Sequence, residues 1–126
     1  MYTPKNMAMT DQQAITAFIT QNSFGLLVSS SLNATHIPFV LDATVGEKGV
    51  LYGHVSRANS HWQELESQRV LVVFSGAHAY ISPTWYDAKP AVPTWNYAAV
   101  HCYGVASLLS DAETQDMLDT LVAKYE

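Results

Sequence analysis

Charge is scarce in this chain: Asp, Glu, Lys and Arg together make up 13% of its 126 residues, with six basic side chains against eleven acidic ones and a formal charge of −5. A balance of that sign leaves no basic stripe to neutralise phosphates, so direct DNA binding by this segment is not expected. Hydrophobic residues, by contrast, reach 48%. A soluble monomer covers its surface with solvated groups, and so little charge beside so much apolar mass implies a buried interface between subunits. Cysteine is represented by Cys102 alone. That excludes an internal disulfide and a cysteine-based zinc site, fits a reducing compartment, and makes core filling the expected role of the thiol. No apolar run approaches the roughly 18 to 20 residues that cross a bilayer, and the N-terminus lacks the charged-then-apolar order of a signal peptide. A soluble, cytoplasmic protein with no membrane partner is the expectation. Missing too are the glycine patterns of dinucleotide and phosphate loops and the nucleophile elbow of hydrolases.

The length is that of a single domain, 1–126, able to bury about two thirds of its unfolded surface in one core. Thr10-Asp11-Gln12-Gln13 has the pattern of a capping box, after which Ile15, Phe18 and Ile19 recur at helical spacing until Asn22-Ser23. Gly25 to Ser30 and Thr35 to Leu41 read as a strand pair. In the second, Ile37, Phe39 and Leu41 alternate with His36, Pro38 and Val40, and Pro38, having no amide to donate, places that strand at an edge or a bulge. A turn over Val45 to Gly49 returns the chain into a strand from Val50 to Val55, and a short helix follows over Ser60 to Ser67. Val70 to Phe74 is continuous and β-branched, as in a strand covered on both faces, and Ala77 to Ile81 extends it past a bend at Gly76. Ser82 to Tyr97 shows no periodicity, holds three prolines and four aromatic side chains, and reads as a long ordered loop that packs against something. Strand character resumes from Ala98 to Leu109. Ser110-Asp111-Ala112-Glu113 is a second capping box, opening a helix whose apolar face is Met117, Leu118, Leu121, Val122 and Tyr125. Five or six short strands with a helix at each end suggest a mainly β chain: a small antiparallel barrel with flanking helices.

The stretch from Tyr52 to Trp62 is the candidate ligand site. A strand ends there and helical spacing begins, with Asn59 or Ser56 as cap, and Arg57, one of two arginines in the chain, offers a fixed fork of donors matched to phosphate or carboxylate. A surface arginine beside a capped turn explains the same pattern. Five histidines, His36, His54, His61, His78 and His101, raise the question of a metal, but none forms the i, i+4 pair of a zinc helix, so no metal site is expected. His36 and His54, in neighbouring predicted strands, are possible lining residues of one cleft. His101 and Cys102 are consecutive on a strand, so their side chains should diverge and not act as nucleophile and base. Trp85, Tyr86, Trp95 and Tyr97 offer flat faces to a planar heterocycle, with Asn96 as a polar handle; a subunit contact is the alternative, and both can hold at once.

Several segments in order, THIPFVLD at 35 to 42, LYGHVSRAN at 51 to 59, HAYISPTWY at 78 to 86 and KPAVPTWNYAAVHCYG at 89 to 104, resemble the PaiB-type FMN-binding negative transcriptional regulators, and the opening YTPK is similar to that family's start. The resemblance spans almost the whole chain. It implies a six-stranded Greek-key split barrel of the pyridoxamine-phosphate oxidase-like type, a homodimer with FMN in clefts at the interface. Related flavoproteins hold the FMN phosphate with a Ser-Arg-Lys segment, to which Ser56 and Arg57 correspond; Ala58 stands in place of the lysine, shifting weight to backbone amides and Asn59. The same resemblance puts His36, Ile37 and the rest of that strand, together with His54, along the flavin, and brings Trp95, Asn96 and Tyr97 from the partner subunit. It also implies a C-terminal part with a basic motif, which the sequence does not reach, so a short or truncated homologue is expected. FMN-binding protein of a regulator family is the leading expectation, flavin-dependent oxidoreductase the alternative, and a haem-binding split barrel with His36 or His54 as axial ligand the third.

Overall fold

A computed structural model describes all residues except Ala88 and Lys89. Among the described residues, six strands and two α-helices follow in the order α1 (Gln12–Gln21), β1 (Phe24–Ser29), β2 (Ala34–Pro38), β3 (Val40–Asp42), β4 (Val50–Tyr52), β5 (Arg69–Ile81), β6 (Thr94–Val105) and α2 (Asp111–Tyr125). Short 3-10 turns occupy Lys5–Met7, Ser60–Glu64 and Pro83–Trp85. All pairings are antiparallel: a four-stranded sheet in the order β2-β1-β5-β6 and a separate β3-β4 pair. This is the mainly β, split-barrel-like architecture expected from the sequence, with its helices on the flanks.

The alternation of β1 shows why the sheet folds around a core. Gly25, Leu27 and Ser29 turn inward and are buried, while Leu26 and Val28 face the other side. Across the register Leu27 meets Val72 and Val72 meets Cys102. Ile37, Phe39 and Phe74 complete this inner layer, Phe39 and Phe74 meeting edge to face with centroids 5.7 Å apart. Gly25 is required by that contact. A Cβ there would stand 2.9 Å from Cε1 of Phe74 and 3.1 Å from the Phe39 ring. Phe18 and Ile19 of α1, Leu41 of β3 and Leu51 of β4 close the core from the remaining sides.

Pro38 ends β2, which is an edge strand of the sheet as its missing amide requires. Chain direction changes at Gly76, where the register slips between Ser75 and His78 so that two residues of β5 oppose one of β6. A Cβ on Gly76 would lie 2.8 Å from the Phe18 ring, so α1 seats on this bulge.

Several boundaries differ from the sequence reading. The first helix is capped by Asp11, whose carboxylate accepts from the Gln13 amide, and not by Thr10. Thr35 to Leu41 divides into β2 and β3, and the strand from Val50 stops at Tyr52, leaving His54 in the following loop. The helix expected over Ser60 to Ser67 is a 3-10 turn of five residues. The largest correction is that strand β6 begins at Thr94, so Trp95, Asn96 and Tyr97 belong to a strand and not to an aperiodic loop. The second capping box is present as read: Ser110 Oγ accepts from the Glu113 amide and the Glu113 carboxylate accepts from the Ser110 amide.

Candidate functional site

Between β4 and the 3-10 turn the chain folds back on itself over Ser56 to Asn59. The Asn59 amide donates to the Ser56 carbonyl at 2.9 Å, and the Ser56 hydroxyl accepts from the Ala58 amide at 3.2 Å. Asn59 is the N-cap of the turn that follows, its side-chain oxygen accepting from the His61 amide at 3.0 Å. The indole of Trp62 reaches back and donates to the Arg57 carbonyl at 3.1 Å. Arg57 thus has a fixed backbone and a free head. Its side chain is 90% exposed, and its nearest acid is the equally exposed Asp111 at the start of α2, at 3.9 Å. An exposed pair at that separation contributes little and leaves the guanidinium open to a better anion.

Beneath this turn lies a polar cluster inside the protein. His61 is completely buried. Its Nδ1 is 2.7 Å from the Thr35 hydroxyl on β2, and its Nε2 is 2.9 Å from the Ser29 hydroxyl on β1. Asn59 Nδ2 donates to Thr35 Oγ1 at 3.2 Å, so the turn bearing Arg57 is tied directly to the strand bearing His36. At the other end the Ser29 hydroxyl donates to the Glu64 carboxylate, which also accepts from Ser31 at 2.5 Å. These two hydroxyl bonds, that of Ser29 first, hold the Glu64 carboxyl below its ordinary range. The Ser29–His61 distance suits a nucleophile and base, but the serine is buried and gives its proton to Glu64, so the pair is structural. Sequence reasoning missed Thr35, Ser29 and the role of His61; the only local signal was Asn59 two residues before a histidine.

The outer face of the large sheet follows from register. His36 pairs with Leu26, Leu26 with Val73 and Val73 with His101, and the next row holds Ala34, Val28, Leu71 and Tyr103. Phe24 joins this face, its ring stacked on His36 with centroids 5.6 Å apart. Beyond the bulge the β5–β6 ribbon continues it with His78 opposite Tyr97 and Tyr80 opposite Trp95. Trp95 stacks on His78, 5.6 Å between centroids, and its indole donates to His78 Nδ1 at 3.1 Å. Phe24, Tyr80, Trp95, Tyr97 and Tyr103 are all exposed, making this a broad aromatic and apolar surface.

The predicted site residues therefore fall into five places. Ser56, Arg57, Ala58 and Asn59 form the turn, with the Asn59 side chain engaged by Thr35 and His61 and not directed outward. Ile37 is in the core, and His36 lies on the outer face. Trp95 and Tyr97 share that face on the ribbon, while Asn96, paired with Ala79, alternates to the opposite side. His54 is exposed beyond β4 and pairs with no neighbour of β2, so the two histidines are not on adjacent strands. His101 and Cys102 diverge as expected, Cys102 packing on the core where burial pushes its thiol pKa up. No group of three metal-ligating side chains occurs among the described residues, and no helix among them is long and apolar enough to cross a membrane.

The whole chain, residues 1–126, matches the sequence profile of a family described as "Putative FMN-binding domain". The chain belongs to this FMN-binding domain family. It is 40% identical over its full length to the protease synthase and sporulation protein PAI 2 of Bacillus subtilis, a PaiB-type relative of which it spans 62%. An uncharacterized protein of Saccharomyces cerevisiae is 38% identical over 84% of the chain and 71% of that protein. Another from Emericella nidulans is 32% identical over 86% of the chain and 57% of that protein. Family membership gives the aromatic face and the arginine turn a common ligand to be tested against: an isoalloxazine with a phosphate at the end of its ribityl chain. The donor set fits such a group, with an exposed guanidinium and a hydroxyl at the turn and flat aromatic rings on the sheet.

Proposed function

We propose that the protein is a homodimeric FMN-binding split barrel in which the Ser56–Asn59 turn takes the flavin phosphate. Arg57 carries the reading, because its carbonyl is fixed by Trp62 while its guanidinium stands exposed and only loosely engaged by Asp111. Two N–H groups of one fork match two phosphate oxygens, and the Ser56 hydroxyl stands in the same turn. The lysine missing at Ala58 leaves Arg57 as the single cation of the turn.

The outer sheet face supplies the remainder of the site. Half-buried Leu26, Val28, Leu71 and Val73 form its centre, flanked by exposed Phe24, Tyr97 and Tyr103. A second copy seated there removes this apolar area from water, and the projecting β5–β6 ribbon then brings Trp95 and Tyr97 over the flavin of the partner. When bound, FMN supplies a ring able to accept a hydride or single electrons. The protein's own residues hold its phosphate and shield its ring from water. In the test, Arg57→Ala is titrated with FMN by flavin fluorescence: a loss of about 1.5 to 3 kcal/mol of binding free energy is expected for a charged hydrogen bond. Unchanged affinity places the phosphate elsewhere.

A further inference from the structure

We infer that His61 and Thr35 are positioning residues for the arginine turn, through a one-way chain of hydrogen bonds that fixes the proton of the buried imidazole on Nε2. For its phosphate readout the inference rests on the reading of Ser56–Asn59 given above.

The direction of the chain follows from counting hydrogens. Ser29 has one hydroxyl hydrogen, and two pure acceptors stand ready for it, the Glu64 carboxylate and, at 3.2 Å, the Asn33 carbonyl. Its oxygen must then accept from the ring nitrogen 2.9 Å away, which puts a hydrogen on Nε2 of His61. In the neutral ring Nδ1 is then the acceptor, filled by the Thr35 hydroxyl at 2.7 Å, and Thr35 Oγ1 in turn accepts from Asn59 Nδ2 at 3.2 Å. The other tautomer sets the Nε2 lone pair against an oxygen whose hydrogen already points to Glu64 or Asn33. It also sends two donors to Thr35 while leaving the Thr35 hydrogen without an acceptor. With His61 at 0% exposure, no water reaches the ring to repair the first of these faults. Asn59, at the end of this chain, closes the turn through its amide, bonded to the Ser56 carbonyl, and caps the following 3-10 turn through its side-chain oxygen, which accepts from the His61 amide. The backbone that carries Arg57 is therefore tied to a hydroxyl on the edge strand of the sheet.

The test uses Thr35→Val, which keeps the shape and deletes the hydroxyl, with Thr35→Ser as the conservative rescue. Affinities for FMN and riboflavin are measured on the full chain. Thr35→Val is expected to weaken FMN about tenfold and leave riboflavin unchanged, with Thr35→Ser within about twofold of wild type. Equal weakening of both flavins, or no weakening of FMN, overturns the positioning role. Nitrogen-15 NMR of the histidine ring reads the other half: a neutral imidazole protonated on Nε2 is expected, and an Nδ1–H or doubly protonated ring overturns the chain of bonds. If wild type retains neither flavin, the proposed function fails. The ring tautomer, and faster exchange of the His61 amide in Thr35→Val, then decide the inference by themselves, unchanged exchange counting against it.

Discussion

The indole N–H of Trp62 donates to the carbonyl oxygen of Arg57 at 3.1 Å, so an aromatic ring of the 3-10 turn fixes the backbone of the exposed arginine proposed to hold the phosphate. Trp62 also packs against the core, which couples the turn to the barrel. Trp62→Phe keeps most of that packing and removes the donor. It should weaken FMN binding by a few fold and lower stability by about 0.5 to 1.5 kcal/mol, as read by fluorescence titration and urea denaturation.

Gly25 lies where Phe39 and Phe74 leave no room for a side chain. Gly25→Ala should destabilise the fold by about 1 to 3 kcal/mol, because the contacts are ring atoms in a close-packed layer that cannot withdraw. Pairing it with Phe74→Leu should give a combined loss smaller than the sum of the two, a coupling that a double-mutant cycle measures.

Glu64 gives a pH dependence whose sign is fixed. Hydroxyl bonds from Ser29 and Ser31 hold its folded-state pKa below the ordinary 4.5, so the ionised form is favoured by folding. Its contribution is complete above 4.5 and is lost as pH falls through the lowered value. The stability advantage of wild type over Glu64→Gln should therefore be constant near neutrality and shrink in acid. An advantage that grows on acidification contradicts the assignment.

Val73 stands in the middle of the outer face, between Leu26 and His101. Val73→Lys places a charge at the centre of the proposed subunit contact and should convert the dimer to a monomer by light scattering. A wild-type protein that is monomeric at micromolar concentration removes the dimer from the account.

Much of the fold was legible because its signals are local. Ser110 and Glu113 declare a helix start in four residues, Pro38 declares an edge, and Gly76 a bulge. Trp95 to Tyr97 escaped because three prolines precede that stretch and because the ribbon is exposed on both sides, so no burial alternation marks it as a strand. The 3-10 turn at Ser60–Glu64 escaped because five residues are too few for periodicity to separate it from an α-helix. At the candidate site, Arg57 and Asn59 could be picked out by residue type, since guanidinium forks and Asn caps have recognisable chemistry. The buried His61 could not: its partners Thr35 and Ser29 come from strands 26 and 32 residues away, a meeting that only the sheet creates.

Whether this barrel holds FMN is read straight from absorbance after gel filtration. Protein incubated with excess FMN and separated from free ligand should emerge yellow, with flavin retained in proportion to chain and released in Arg57→Ala. Colourless protein from that column, with the fold intact by circular dichroism, would mean that the barrel does not hold FMN.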